Sequence, residues 1–359
     1  MGHQRYLQIL GLISAVIAVQ LFTYYTDTGH HLTQLTMSAY YSLVIIGLCL
    51  LIGYAGQISL GHAGFFAIGG YISAFLTTHN FLPYKDNYFI SFLSKSGLLA
   101  SREDLYGGQI LIFHPWAACI AAVLFAVIVA YLIGGPVLKL KGHYLAMATL
   151  GFGIIVYKIV LGTEKFGAAD GISDVPSFVL LPGVEITGKL PVRIMNYYVA
   201  WVIVIICMII LLNLINSRIG RALRSIHGAE DASNAMGVNT AKYKLNTFVL
   251  SAAFASVAGV FLTHYNGGIG PSEASVMKSV RYVAIVAVGG MANLWGALIM
   301  GVLLNFLSLR GYFGTYDDAV FGGILILIML FAPEGLLRID LFRSLKGMFL
   351  KISDSKEKT

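Results

Sequence analysis

His62 is the side chain with the strongest claim to chemistry in this sequence. It sits inside residues 53–70, GYAGQISLGHAGFFAIGG, a glycine-rich stretch between apolar runs, where an imidazole has no bulk water to satisfy it. Its plain role there is a hydrogen bond to a backbone carbonyl; its sharper role is a functional one, since ionisable groups at membrane depth mark functional sites. The other histidines are scattered. No His-Glu-x-x-His, Gly-x-Ser-x-Gly or Gly-x-x-x-x-Gly-Lys-Ser/Thr signature occurs, so no metalloprotease site, nucleophile elbow or phosphate cradle is indicated. Cys49, Cys119 and Cys207 lie singly in apolar runs and read as small buried hydrophobes, not as metal ligands or disulfide partners. With no nucleophile and base at a usable spacing, the chain is expected to be neither an enzyme nor a metal protein.

A second stretch invites a partner and not a reaction. Residues 216–244, NSRIGRALRSIHGAEDASNAMGVNTAKYK, carry Arg218, Arg221, Arg224, Lys242 and Lys244 against only Glu230 and Asp231. Good helix formers and the absence of proline predict one short helix across 221–236, lying outside a bilayer, with Gly237 as the residue that ends it.

These stretches sit in a chain of 359 residues that is 57% hydrophobic and 11% charged, with a mean hydropathy of +0.79. That is too apolar for a soluble domain, and runs near the ~20 residues that span a bilayer predict an all-α, polytopic helical membrane protein. A barrel would need ~10-residue segments of strict alternation, which are not seen. The charge of +7 is not interleaved with aromatics, so nucleic acid is not an expected partner; the lipid bilayer is.

Apolar runs cover 6–25, 37–52, a third crossing continuing from 53–70 through 71–78, then 116–138, 144–161, 197–215, 245–265 and 319–332. The first reads as an uncleaved helix, since no small-residue cleavage site follows it. The region 282–309, interrupted by GGMANLWG at 289–296, is long for one crossing and short for two, and reads as a re-entrant pair. The expectation is about eight full crossings plus re-entrant or half-helix elements. The two glycine-rich stretches at 53 and 288 share a pattern that suggests an internal repeat, a habit of transporters.

Placing 216–244 in the cytoplasm puts 14 Lys and Arg inside with 6 acids, against 9 Lys and Arg outside with 11 acids. Both termini are then cytoplasmic by the positive-inside rule, with loops 80–114 and 162–193 outside and 338–359 a charged cytoplasmic tail. Lys158 is read as snorkelling to the outer interface, and no Asp or Glu falls within an expected membrane core. That absence weighs against an ion- or proton-coupled carrier working alone and for an external energy source.

Four motifs in one order carry a family resemblance. Gly53-Tyr54-Ala55-Gly56-Gln57-Ile58-Ser59-Leu60-Gly61-His62-Ala63-Gly64-Phe65-Phe66-Ala67-Ile68-Gly69 closely resembles the signature of the membrane subunits of branched-chain amino acid ABC importers, the LivM type of the LivH/LivM family in particular. Lys141 to Leu150, KGHYLAMATL, is similar to the segment opening that family's fifth helix. Gly289 to Gly296 resembles its second glycine motif, and Pro333-Glu334-Gly335-Leu336 its C-terminal stop. The resemblance covers roughly residues 40–337, the expected permease domain being 1–337.

The resemblance implies transport of branched-chain or related hydrophobic amino acids across the inner membrane. It implies two ABC ATPase subunits that bind ATP, a second homologous permease and an extracytoplasmic binding protein as partners, with no cofactor in this chain. The consensus of the family's coupling helix is similar to Asp231-Ala232-Ser233-Asn234-Ala235-Met236-Gly237, which assigns ATPase coupling to Arg221, Arg224, Glu230, Asp231, Ala232, Ser233 and Gly237. Gln57, Ser59, His62 and Asn293 become candidates for the solute pathway, and Gly53, Gly56, Gly61, Gly64, Gly289, Gly290 and Gly296 are expected structural glycines. The chain departs from the family pattern in having Ile154 where an acid is usual and Phe166 to Gly171 in place of a Thr-Gly-Gly-x-x-Gly loop. Permeases of the same family for urea or short-chain amides are the nearest alternative.

Overall fold

The computed structural model describes residues 2–84, 88–95, 97–103, 107–311 and 314–331. The motif at 333–336 and the tail at 338–359 lie outside the described residues. The bundle has two ends. Residues 216–244 mark the basic end, and the loops 80–114 and 162–193 mark the loop end.

Helix α1 (Gly2–Tyr25) runs from the basic end to the loop end, and α2 (His30–Cys49) returns beside it, its last turn widening into a π-helical turn at Leu50–Tyr54. In the most apolar window of each, 89% of the α2 span is buried against 11% of α1, so α2 is an axis of the bundle and α1 a peripheral helix. Tyr197 and Tyr198 hold α1 by hydrogen bonds from their hydroxyls to the Val16 carbonyl (3.2 Å) and Gln20 (3.2 Å).

After a break at 55–61, α3 (His62–Thr78) climbs back to the loop end. There a short helix α4 (Tyr88–Lys95) and an antiparallel hairpin of β1 (Leu99–Glu103) and β2 (Gln109–Phe113) lie within the 80–114 loop. Helix α5 (Pro115–Val137) descends. Its buried residues Ala118, Ala122, Ala126, Ala130 and Gly134 recur every fourth position, a stripe of small side chains that lets backbones approach, while Ile120, Leu124 and Ile128 face outward. Helix α6 (His143–Gly162) ascends, with Lys158 exposed beside the Tyr157 ring.

The second loop carries β3 (Ile172–Ser173), β4 (Phe178–Leu181) and β5 (Val184–Ile186), and an Arg102–Asp174 ion pair of 3.7 Å links it to the first. Helix α7 (Arg193–Asn216) then descends to α8 (Arg218–Gly228) and α9 (Glu230–Ala235) at the basic end. Helix α10 (Thr240–Asn266) ascends through the middle, crossing α3 so closely that a Cβ on Gly259 would overlap the Phe66 carbonyl. Strand β6 (Gly268–Ile269) pairs with β3.

Helices α11 (Val276–Gly289) and α12 (Leu294–Leu309) form a hairpin whose turn lies at the basic end, and α13 (Asp317–Phe331) follows. At ~1.5 Å per residue, α11 and α12 are about 21 and 24 Å long, each short of the ~30 Å hydrocarbon core, so the region expected to be a re-entrant pair folds as two short helices, of which α12 runs from Gly53 at the end of α2 back to His31 at its start. Among the described residues six helices are long and apolar enough to cross a membrane. Of the eight expected crossings, α3 with 17 residues and α13 with 15 described residues are the two shorter ones.

Candidate functional site

The basic stretch folds as two helices and not one. The expected helix breaks at Ala229, whose extended backbone (φ −157°) cannot continue the helical ladder, just after Gly228, a poor helix former that ends α8. Helix α8 buries Gly220, Leu223 and Ile226 on one face and is capped by Ser217, whose hydroxyl accepts from the Ile219 amide. Arg224 donates to the Ile215 carbonyl (3.1 Å) and lies over the Tyr54 ring, so it clamps α8 onto the end of α2. Arg221 is exposed.

Helix α9 is held from behind. Lys244 at the start of α10, with a side chain only 8% exposed, meets both oxygens of Glu230 at 2.7 Å, and Ser233 is buried with its hydroxyl on the Ala229 carbonyl. Asp231 makes an exposed 3.2 Å pair with Lys141. Gly237 takes φ +84°, and the amides of Gly237 and Val238 return to Asn234 and Ser233, the left-handed cap expected of a terminating glycine. Asp231, Ala232 and Met236 are left facing solvent, Met236 at 85% exposure. Beside them opens a groove of about 560 Å³ lined by Gly134, Lys139, Glu230, Asn234, Lys242 and Leu245. Of the residues expected to couple, Glu230 and Ser233 fix the posture of α9, while Asp231, Ala232 and Gly237 face solvent.

Lys244→Met is expected to leave the Glu230 carboxylate without its cation and to loosen α9 by about 3 kcal/mol, the low end for a buried pair because Glu230 keeps some solvent. Hydrogen exchange across 230–238 should rise while α10 stays protected; unchanged exchange there would show that the pair does not hold the helix.

The break before α3 gathers the first pathway candidates. His62 is buried, with Nδ1 3.0 Å from Ser59 Oγ and Nε2 2.7 Å from Ser251 Oγ of α10. Its partners are hydroxyls and not the backbone carbonyl expected, and they make it a strut between α3 and α10. The Leu60 amide donates to Thr149 of α6 and the Ala63 amide to Ser279 of α11, so this one turn is tied to three other helices. Gln57 is 1% exposed, and neither its Oε1 nor its Nε2 has a hydrogen-bond partner among the described residues. A buried amide in that state carries a desolvation penalty unless a ligand or water meets it. Gln57→Met is therefore expected to raise the melting temperature slightly, by up to ~1–2 kcal/mol of stability, while lowering uptake if the amide serves a solute. Thermal melting and transport of the same variant check both halves.

Asn293 accepts from the Gly296 amide (3.1 Å) and caps α12. The turn it belongs to docks on α2: Gly53 lies against the Ala292 backbone, Tyr54 donates to the Ala292 carbonyl (2.6 Å), and Cys49 lies within hydrogen-bond reach of the Ala292 and Asn293 amides. The two glycine-rich stretches thus touch, each with a helix, a break and a helix. Gly56 approaches His227 of α8, Gly61 and Gly64 admit Thr149 and Phe152, and Gly289 and Gly296 lie against each other where α11 meets α12. Gly290, at φ +97°, begins the turn.

At the loop end the structure corrects the expectation that the core holds no acid. The turn Pro271–Ala274 brings Glu273 to Tyr41, whose hydroxyl donates to both carboxylate oxygens (3.1 and 3.2 Å). Lys278 on α11 donates to the same carboxylate (2.7 Å) and to the Tyr41 oxygen (2.9 Å), over whose ring it sits at 4.6 Å. Tyr41 is eleven residues into α2, ~16 Å along it, so the ion pair lies well inside the bundle. Nearby, Arg281 pairs with Asp317 of α13 (2.9 Å) and bonds Ser308 of α12 (3.0 Å). Residues 272–281 were left outside every apolar run because their charges lower the hydropathy. The signal that finds them is Ser275, whose hydroxyl caps α11 and starts that helix at Val276, ahead of the apolar run.

Comparison with known proteins follows the same outline. The family model described as "Branched-chain amino acid transport system / permease component" matches residues 31–329. The high-affinity branched-chain amino acid transport system permease protein LivM of Salmonella typhimurium is 30% identical over 323 residues, covering 84% of this chain and 68% of the relative. LivH of the same organism is 29% identical over 313 residues, covering 84% and 92%. BraD of Pseudomonas aeruginosa is 25% identical over 320 residues, covering 86% and 96%. No solved structure matches the chain. With that family match running from the start of α2 into α13, the chain belongs to the branched-chain amino acid transport system permease family, and is a multi-pass membrane protein.

Proposed function

We propose that this chain is the membrane-spanning permease subunit of an ATP-driven importer, which moves branched-chain or related hydrophobic amino acids across the inner membrane. The observation that carries the reading is α9. It is an exposed helix braced on the bundle by the Glu230–Lys244 pair, with Asp231, Ala232, Met236 and Gly237 turned to solvent beside an open groove. Such a braced knob transmits force from a docked subunit into α7 and α10 without itself doing chemistry.

In this reading the basic end is cytoplasmic, both termini are inside, residues 1–337 are the permease domain and 338–359 a cytoplasmic tail. Two ATPase subunits bind ATP, and one of them seats on α9. A second, homologous permease completes the passage, and an extracytoplasmic binding protein delivers solute to the loop end. The chain performs no catalysis.

The test is reconstitution in proteoliposomes with both ATPases, the sister permease and the binding protein. Leucine uptake should require every component and ATP. Uptake by this chain without ATPase subunits would instead establish an ion-coupled carrier, and uptake of urea but not leucine would move the substrate to amides. A cysteine-accessibility map that put residue 230 on the outside would overturn the orientation.

A further inference from the structure

The Glu273–Lys278–Tyr41 cluster is more than a brace between helices. A carboxylate and an ammonium beside the middle of α2 are unfavourable in a bilayer unless each is fully met, and here they meet each other and one phenol. Two further phenols stand close by with nothing bound. Tyr71 of α3 and Tyr282 of α11 are each 1% exposed, their hydroxyls have no hydrogen-bond partner among the described residues, and both lie in the field of the Glu273 carboxylate. A pair that served only to lock α2 to α11 would have no use for two orphan hydroxyls.

The cluster retains an opening. The Lys278 and Glu273 side chains keep 23% and 18% of their surface, although the tyrosines around them are buried. It also lies near the loop that departs from the family pattern, where Phe166 packs edge-on against Tyr71 at 5.7 Å.

We propose that Glu273, Lys278, Tyr41, Tyr71 and Tyr282 form a station that binds the zwitterionic α-amino and α-carboxylate groups of an amino acid on its way through the membrane. The ammonium of the solute takes Glu273 and the carboxylate takes Lys278. The Tyr71 and Tyr282 hydroxyls, each a donor and an acceptor, supply the remaining hydrogen bonds. The side chain of the solute makes no part of this recognition, so the station reads the class and not the individual amino acid. An uncharged amide such as urea offers no ammonium to Glu273 and no carboxylate to Lys278, so the same geometry separates the two substrate classes. The station rests on the proposed importer function.

The experiment uses the complete reconstituted transporter and tritiated leucine as probe. Tyr71→Phe and Tyr282→Phe remove only hydroxyls that have no partner among the described residues, so the melting temperature should equal or slightly exceed that of wild type, and assembly with the ATPase subunits should match it. Leucine uptake by each should fall ~10-fold or more, the loss expected when a hydrogen bond to a charged group is removed. The double variant Glu273→Gln/Lys278→Met, which leaves no charge unpaired, should lose uptake as well. If both phenylalanine variants transport within about twofold of wild type, or if the double variant recovers the uptake lost by either single one, the pair is a structural lock and the station is overturned. A wild-type transporter that moves urea and not leucine overturns the substrate reading itself, before any variant is compared.

Discussion

Gly53→Val is expected to abolish accumulation of folded protein. A Cβ at this position would occupy the same space as the backbone nitrogen of Ala292, and its Cα is scarcely farther away. Backbone is the least yielding neighbour a side chain can meet, since moving it means moving the whole α11–α12 turn. That turn is fixed by the Tyr54–Ala292 hydrogen bond and by the cap on Asn293. Overpacking in a well-filled core costs about 1–3 kcal/mol where side chains can shift; here, where they cannot, the loss should exceed ~3 kcal/mol. Gly53→Val should therefore appear as aggregate in size-exclusion chromatography, with Gly53→Ala intermediate. Ala292→Gly should not rescue either variant, because it removes the Ala292 methyl and leaves the colliding nitrogen in place. A monodisperse Gly53→Val protein with wild-type melting would show that the α11–α12 turn does not dock on α2.

Gly237→Trp is expected to uncouple ATP hydrolysis from uptake with little loss of folded protein. Two effects must be separated. At φ +84° any side chain is strained by roughly 1–2 kcal/mol, and Gly237→Ala and Gly237→Trp share that strain. They differ in bulk, and that bulk meets nothing among the described residues, because beyond its chain neighbours no atom of them lies within 4 Å of a Cβ placed there. Any deficit of Gly237→Trp beyond Gly237→Ala therefore reports what sits on α9 from outside. Uptake should fall at least ~10-fold below that of Gly237→Ala, with ATP hydrolysis by the assembled complex continuing. Equal transport by the two variants would remove α9 from the ATPase interface.

Both glycines were marked in the sequence, but for different reasons and with different completeness. Gly237 was legible because its role is local: a run of helix formers that stops at a glycine predicts a left-handed cap, and the amides of Gly237 and Val238 close it within the six residues 233–238. Gly53 was legible only as a member of a glycine-rich motif. Which backbone it admits, across 239 positions of chain to Ala292, is written in no local pattern. His62 divides the same way. Its burial followed from the apolar runs around it, while its hydroxyl partners come from the 55–61 break and from Ser251, 189 residues on. The single helix expected at 221–236 failed on a local detail, since helix-forming neighbours outweighed Gly228 in the reading, whereas the folded chain turns there so that α8 can bury Leu223 and Ile226.

Hydropathy by itself determined that the chain spans a bilayer as helices, because removing backbone from water forces internal hydrogen bonding whatever the tertiary contacts are. The spacing of small residues along α5, the caps of α8 and α12, and the shortness of the interrupted region were also settled along the chain, being matters of a few neighbouring residues. Only the tertiary structure decided which charges stay in the bundle. Glu273 and Lys278 look like loop residues by hydropathy, and they are held within it because Tyr41, 232 residues from Glu273, meets the carboxylate there. A charge is tolerated in a low-dielectric interior by its partners, and partners are chosen by the fold.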